Sequence, residues 1–533
     1  MVKREIKNLI TKSVKALQKK GYFSEFKISE IKIEHPEEKA HGDYATNVAM
    51  VIAKQIKKNP LEIAENLKSE ILNFKSSYFD KVEIAGPGFI NFFISKEYIQ
   101  KKVGEILKQK DKFGQLRIGH NKKVQIEFIS ANPTGPLTIG NARGGPFGDV
   151  LGNVLKRAGF RVEKEYYIND YGMQILTLGH SVLKDSEAQY KGDYIDYLNK
   201  KIKEKDPYRA GESAAKIIIE EMIEKTISRM GIKYNEWFSE NSLHKSGKVD
   251  DALEVLNKKG LIYEKEGAKW FRSSKYGDER DRVVVKADGL KTYLAGDIAY
   301  HRYKFEKKEF DKVIDVWGAD HYGDVPGLMA GVEALGHKDK LEIILHQFIT
   351  LIEKGEKKKM SKRKGIYVTM DELLNLIGLD IVRFFFLQKS INTHLNFDLD
   401  LARQQSEKNP VYYVQYAHAR ICSILRKLKM KNEKLKITIK NLKLLNHQNE
   451  LVLIKQLIRL PEVIEDTAKD YQVQRIPQYV IDLATSFHQF YRDCKVLTGV
   501  RPLQEARLAL VLACKIVLKN TLNLMGISAP EKM

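Results

Sequence analysis

The chain has 533 residues, 43% hydrophobic and 30% charged, enough for about three domains with separate cores. Lysine and arginine total 91 against 69 acids, and the formal net charge of +22 points to a polyanionic partner, most simply nucleic acid. Cys422, Cys494 and Cys514 form no CxxC pair, and no apolar run approaches the ~18 residues of a bilayer span. A disulfide framework, a thiolate zinc site and a membrane protein are therefore set aside, and a reducing, cytoplasmic setting is expected.

The start is basic, but Ile6, Leu9, Ile10, Val14 and Leu17 fall at helical spacing, so a folded first helix is favoured over a transit peptide. Residues 1–110 mix helices with short strands, and "VEIAGPGFINFFIS" (82–95) reads as a strand pair around turn residues. At "KKVQIEFIS" (122–130) the pattern changes: Val124, Ile126 and Phe128 alternate as in a strand. The loop "SANPTGP" follows, then a helix with Val150, Leu151, Val154 and Leu155 on one face, then a strand at 161–170. This is a βαβ unit, and open parallel sheets bind ligands at the carboxyl ends of such strands. Residues 180–285 are charged and mostly helical, as an insertion would be. Strands return at "DRVVVKAD" and "FDKVIDVWGADHYG". The stretch from Leu341 reads as strand, basic loop, short strand and helix, with Thr369 and Glu372 as a capping box. From about 400 the pattern is helical, and 420–443 is basic with Glu433 its one acid. The expected class is an α/β Rossmann-like domain with a parallel sheet (111–400), preceded by an α+β domain (1–110) and followed by an all-α helical bundle (401–533).

Two loops carry chemistry. In 127–145, Gly135, Gly140, Gly144 and Gly145 would let a nucleotide lie on the backbone at a helix N-terminus, where free N–H groups attract phosphate. Pro133 and Pro136 stiffen the approach. The pattern is neither GxGxxG nor a Walker loop, and by itself it equally describes a packing turn. The second loop is "KKKMSKRKG" (357–365). Such runs are usually solvated, yet here Lys359, Lys362 and Arg363 could neutralise charge on a leaving pyrophosphate.

"TIGN" (138–141) and "KMSKR" (359–363) resemble the paired HIGH and KMSKS signatures of class I aminoacyl-tRNA synthetases in order, spacing and context. "EFISANPTGPL", "GNARGGPFGD", "YYINDYGMQI", "TYLAGDIAYH" and "VWGADHYG" narrow the resemblance to the arginyl-tRNA synthetase family, as do "HGDYATNVAM" and "GPGFINFFIS" near the start and "NPVYYVQYAHARICSI" and "LMGISAPEKM" near the end. The resemblance spans nearly the whole chain. It implies ATP-dependent formation of arginyl-adenylate, then transfer to the terminal adenosine of tRNA(Arg), with tRNA needed before activation. It also implies Mg2+ with ATP, no zinc, and a monomer.

The resemblance assigns catalysis to Thr138, Gly140, Asn141, Lys359, Met360, Ser361, Lys362 and Arg363. ATP is expected at Gly135, Pro136, Gly140, Asn141, Gly318, His321, Lys359 and Lys362. Arginine is expected at Glu127, Asn132, Tyr293, Asp297 and Asp320, because a guanidinium selects for carboxylates. Tyr293 and Asp297 share a face if their segment is helical. Asn169, Asp170 and Gln174 form a weaker set at a strand's carboxyl end. Asn91 and Phe93 in the first domain, with Tyr412, Tyr416 and Arg420 in the last, are the expected tRNA contacts; packing competes as a role for the tyrosines. The signature histidines are Thr138 and Asn141 here. That change leaves one alternative, a tRNA-binding paralogue without catalysis, against which stand the KMSKR loop and the complete arginine set.

Overall fold

The computed structural model describes residues 2–26, 30–357, 368–430 and 439–533, without the side chains of 428–430, 439 and 440. The first unit opens with helix α1 (Val2–Lys19), whose buried face carries Ile6, Leu9, Ile10, Val14 and Leu17 as their spacing demands. Strands β1 (Tyr44–Thr46), β2 (Phe79–Ala85) and β3 (Phe89–Ile94) form an antiparallel sheet with β3 central, packed with α2 (Val48–Ile56) and α3 (Pro60–Asn73). Asn59 caps α3 by accepting from the Leu61 amide, and Ser95 caps α4 (Lys96–Gln109) in the same way at Tyr98.

The second unit is built on β4 (Lys123–Phe128), α5 (Ile139–Ala142), α6 (Gly144–Ala158), β5 (Arg161–Ile168) and α7 (Met173–Leu183). Then come α8 (Asp193–Lys201), α9 (Pro207–Ile217), α10 (Glu224–Arg229), β6 (Glu236–Ser239), α11 (Glu240–Lys245), α12 (Lys248–Lys258), β7 (Ile262–Lys265), β8 (Ala268–Phe271) and β9 (Arg282–Val285). Three strands, β6, β7 and β8, thus interrupt the region read as helical, and β9 is the strand expected at "DRVVVKAD". β6 joins the main sheet, and β7–β8–β9 form a small antiparallel sheet of their own. α13 (Tyr293–Glu306), β10 (Lys312–Gly318), α14 (Val325–Ala334), β11 (Leu341–His346), β12 (Ile349–Glu353), β13 (Glu356–Lys357), α15 (Met370–Ile377), α16 (Leu379–Leu387), β14 (Leu395–Asp398) and α17 (Leu399–Ala402) complete it. The main sheet is parallel throughout, in the order β11-β10-β4-β5-β6. The chain moves to one side of β4 first and returns on the other, so the switch point lies between β4 and β10.

The last unit is the helical bundle α18 (Pro410–Met430), α19 (Gln448–Ile458), α20 (Leu460–Asp470), α21 (Arg475–Asp493) and α22 (Arg501–Met525). α22 contains an 18-residue window of mean hydropathy 1.6, apolar enough for a bilayer, which corrects the sequence reading that no run approaches that length. Yet 72% of that window is buried inside the protein, so its apolarity serves packing. The units lock together through polar contacts. Lys3 pairs with Asp466 at 2.7 Å, and the Tyr44 hydroxyl donates to Glu462 at 2.9 Å. Arg383 of α16, fully buried, meets Asp149 of α6 and donates to the Met525 carbonyl of α22.

Candidate active site

The turn after β4 is strained. Ile129 and Ser130 take left-handed backbone angles, φ 69° and 38°, which a β-branched residue adopts only where the surroundings enforce it. The bend brings the Ser130 hydroxyl to Glu127 Oε1 (3.1 Å), and Ser130 Oγ in turn accepts from the Tyr167 amide on β5. It also opens a cavity of about 540 Å³ between the carboxyl ends of β4 and β10 and the first turns of α13.

Glu127, Asn132, Tyr293, Asp297, Gly318 and His321 all line this cavity, so six residues singled out in separate stretches of sequence meet in one place. Asp320 is not among its lining residues; it stands exposed at the rim, 3.8 Å from His321. The helix predicted from the Tyr293/Asp297 spacing is α13, begun at Thr292, whose hydroxyl donates to the Val283 carbonyl on β9. Asn169 of the weaker set lines the cavity too. Asp170 accepts from the Ser239 hydroxyl at 2.6 Å and from the Asn241 amide, and Gln174 donates to the Asn169 carbonyl.

The cavity is acidic and its polar atoms are under-satisfied. Asp297 is raised well above the ordinary carboxylate range by burial, then by the charges of Glu240 and Glu127. Burial likewise raises Glu240, with relief from His244. Asn169 Oδ1 and the Tyr300 hydroxyl are buried without a hydrogen-bond partner, Glu240 Oε2 has at most the Tyr167 hydroxyl, and all four residues line the cavity. A cluster of starved acceptors and hydroxyls around two carboxylates is complementary to a cation with several N–H donors. Glu240 and Tyr167 were missed in the sequence. Glu240 opens α11 directly after β6, and a Cβ on Gly296 would stand 3.5 Å from its Oε1, so it faces Asp297's neighbour on α13.

A row of acids runs across the sheet from the cavity wall, which Asp315 and Glu127 line. Register places Asp315 beside Glu127, Glu127 beside Glu165, and Glu165 beside Glu236 on β10, β4, β5 and β6. Burial pushes the Glu165 carboxyl up to about 8, against the pull of Lys304, with Glu127 adding to the rise. Between its ordinary value of 4.5 and about 8 the folded chain holds a proton that the unfolded chain releases. Stability attributable to this group therefore falls as pH rises through that window. Glu165→Gln should remove the slope: in urea unfolding its advantage over the parent grows from near zero at about pH 5 to roughly 3 kcal/mol at about pH 9. An equal difference at both pH values would refute this assignment.

The other loop residues gather at the start of α5. Thr138 is its N-cap, accepting from the Asn141 amide (3.3 Å) and donating its hydroxyl to Asn141 Oδ1 (2.6 Å). The Ile139 amide donates to the Val368 carbonyl, and the Met370 amide to the Leu137 carbonyl. The capping box at Thr369 and Glu372 is present as expected. The TIGN turn is thus stitched to the chain that follows the basic loop; Lys359, Met360, Ser361, Lys362 and Arg363 themselves lie outside the described residues. A Cβ on Gly140 would meet nothing closer than 3.8 Å, whereas one on Gly145 would stand 2.8 Å from Met230. Gly140 leaves open space and Gly145 serves packing. Gly135 and Pro136 lie half-buried just before the turn, near Tyr194. Arg143 is fully buried and donates to four backbone carbonyls, those of Gln347, Phe348, Ser390 and Thr393, tying this turn to the start of β12.

Of the expected tRNA contacts, Asn91 is buried with Oδ1 unpartnered, and Phe93 is half-buried with Lys81 Nζ 5.1 Å from its ring centre. On α18 the Tyr412 and Tyr416 rings lie parallel within 8°, and Arg420 sits over both Tyr416 and Tyr491. Tyr416, Arg420 and Tyr491 border a cleft of about 850 Å³ that also takes in Arg426, Lys427 and Lys495.

Comparison with known proteins agrees along the length. Residues 4–94 match the arginyl tRNA synthetase N terminal domain, 102–193 and 182–380 the catalytic domain of class I (R) tRNA synthetases, and 414–533 the DALR anticodon binding domain. The arginine–tRNA ligase of Caldanaerobacter subterraneus is 44% identical, across 100% of this chain and 99% of that one. The Bacillus subtilis arginine–tRNA ligase is 42% identical with both chains fully covered. The Thermus thermophilus arginyl-tRNA synthetase shares the fold, with a TM-score of 0.80 at 22% identity over 100% of both chains. The reading as a paralogue without catalysis finds no support among these relatives. The chain belongs to the arginyl-tRNA synthetase family, class I enzymes that use ATP to charge tRNA with arginine.

Proposed function

We propose that the cavity between β4, β10 and α13 is the arginine pocket of this ligase. The observation that carries the assignment is the concentration of buried, under-satisfied polar atoms around Asp297 and Glu240. These two carboxylates take the guanidinium, Tyr293 covers it, and Asn132 meets the amino acid's polar end. Glu127, held by Ser130 and Lys304, supplies negative potential from behind. Asp320 and His321 act at the rim.

ATP lies along Gly135, Pro136, Gly140 and Asn141, with Gly318 and His321 on the nucleoside side, and Lys359, Lys362 and Arg363 neutralise the departing phosphates. Mg2+ would enter with ATP and neutralise charge on its phosphates, and no His/Cys/Asp/Glu cluster among the described residues would hold it alone. A carboxylate oxygen of arginine attacks the α-phosphorus, the bond to the β-phosphate breaks, and pyrophosphate leaves. The 2′-hydroxyl of the terminal adenosine then attacks the adenylate carbonyl, and AMP leaves. Position and charge complementarity do most of the work.

Tyr412, Tyr416 and Arg420 take anticodon bases on α18, Asn91 and Phe93 take the tRNA elbow, and the enzyme works as a cytoplasmic monomer. ATP–pyrophosphate exchange with arginine, run with and without tRNA(Arg), tests the reading. Exchange should require arginine and tRNA together. Tyr416→Ala should raise KM for tRNA about tenfold, the loss of one stacked base, and leave KM for arginine unchanged. Exchange supported by another amino acid would overturn the pocket assignment.

A further inference from the structure

Asp315, Glu127, Glu165 and Glu236 stand side by side on four parallel strands, in register. Directly paired residues of a parallel sheet project to the same face, about 4.8 Å apart, so such a row repels itself. The compensating charges come from one element. Lys304 Nζ, 1% exposed, lies 2.7 Å from Glu127 Oε2 and 3.3 Å from Asp315 Oδ1, over the Tyr300 ring at 4.1 Å. Lys308, just beyond α13, meets Glu236 at 2.6 Å. His301 completes the set: Nε2 faces Asp315 Oδ2 and Nδ1 faces the backbone carbonyl of Asp297, each at 2.8 Å.

The same helix carries the pocket. Asp297, His301 and Lys304 lie at spacings of four and three, on one face of α13, so the clamp and Asp297 are about two turns apart on a rigid rod. Moving the helix along the sheet would move Asp297 by the same amount. The clamp also decides which acids answer to a ligand. Glu127 and Asp315 are already paired with an ammonium, whereas among the described residues Glu240 has only His244, 3.8 Å from its Oε1, as an ion-pair partner.

We infer that Lys304 is a positioning residue for arginine selection: by bridging Glu127 and Asp315 it fixes α13 over the sheet and reserves Asp297 and Glu240 for the substrate's cation. This rests on the cavity being the arginine pocket, which Asp297→Asn tests independently in the same assay. A loss of arginine selectivity there, with no effect at Lys304, defeats the inference alone; no effect at Asp297 defeats the pocket.

The experiment compares the parent, Lys304→Arg, Lys304→Met and the double variant Lys304→Met/Glu127→Gln in exchange with saturating tRNA. Lys304→Met should raise KM for arginine at least thirtyfold and leave KM for ATP within threefold. Asp315, Glu127 and Glu165 face the lysine from three strands, and His301 and Tyr300 from its own helix. Losing the ammonium should therefore shift the ionisation of these carboxylates upward and bring it into the kcat/KM profile for arginine. Lys304→Arg keeps the charge and should lie closer to the parent on both measures. The double variant removes Glu127, one of the two carboxylates that the lysine holds, along with the lysine, which favours folding. Its KM for arginine should stay raised, because the clamp is still gone. An unchanged KM and pH profile in folded Lys304→Met, an equal rise in KM for ATP, or full recovery in the double variant would each overturn the inference.

Discussion

Replacing Asp297 with asparagine should lower kcat/KM for arginine in exchange by about a thousandfold, roughly 4 kcal/mol. The substitution keeps size and hydrogen-bonding atoms but leaves a guanidinium facing one carboxylate instead of two in a site that burial has dried. The parent should carry a matching pH signature. Burial and the charges of Glu240 and Glu127 raise Asp297 well above the ordinary range, so the empty pocket gives up its proton at higher pH than a free carboxylate does. A cation entering favours the ionised form and expels that proton. KM for arginine should therefore fall as pH rises, by up to tenfold per unit, and level off once the empty pocket has ionised. Asp297→Asn should flatten this slope as well as raising KM. KM for ATP and the affinity for tRNA should hold. A variant that loses ATP and arginine binding alike would show that Asp297 serves the fold, and a KM for arginine that climbs with pH would show that the pocket proton is absent.

Much of this site was legible in the chain, for physical reasons. Alternating Val124, Ile126 and Phe128 fixed β4, and a loop at its carboxyl end in a βαβ unit put the cavity where it lies. The four-residue spacing of Tyr293 and Asp297 became one face of α13. Glycines were less informative. Gly140 and Gly145 look alike in sequence, but the latter is small because Met230 and Ile129 crowd it. Glu240 was hidden because β6, the strand that delivers it, is four residues long and sits among helices. Only its pairing with β5 reveals it as part of the main sheet. The clamp at Lys304 was out of reach for a related reason. A row of four acids on four strands exists only in the register, and no spacing along a single segment encodes which residues of distant strands stand opposite one another.

The TIGN turn should behave as one unit. Thr138→Val and Asn141→Ala should each lower kcat for adenylate formation about a hundredfold, and the double variant should be no worse than the weaker single. The two side chains hold each other: the Thr138 hydroxyl donates to Asn141 Oδ1 while its oxygen accepts the Asn141 amide. Removing either one breaks this pair, so the second removal costs little more. Thr138→Val also strips the cap from α5, at a cost of about 1 kcal/mol that Asn141→Ala avoids, and comparing the two separates stability from catalysis. Binding of tRNA should persist in all three. Neither side chain carries charge, and the neighbouring imidazole does not supply it. His346 ends β11 with its Cδ2 3.6 Å from where a Cβ on Gly144 would stand, and burial lowers it to about 4, so it stays neutral wherever the enzyme works. In the proposed site the positive charge for the departing pyrophosphate is assigned to Lys359, Lys362 and Arg363, with the metal that accompanies ATP. Restoring histidine at 138 and 141 should introduce a dependence of the activation rate on pH near neutrality that the parent lacks. Multiplicative losses of about ten thousandfold in the double variant would mean that Thr138 and Asn141 act separately, and the paired-donor account of this turn would fall.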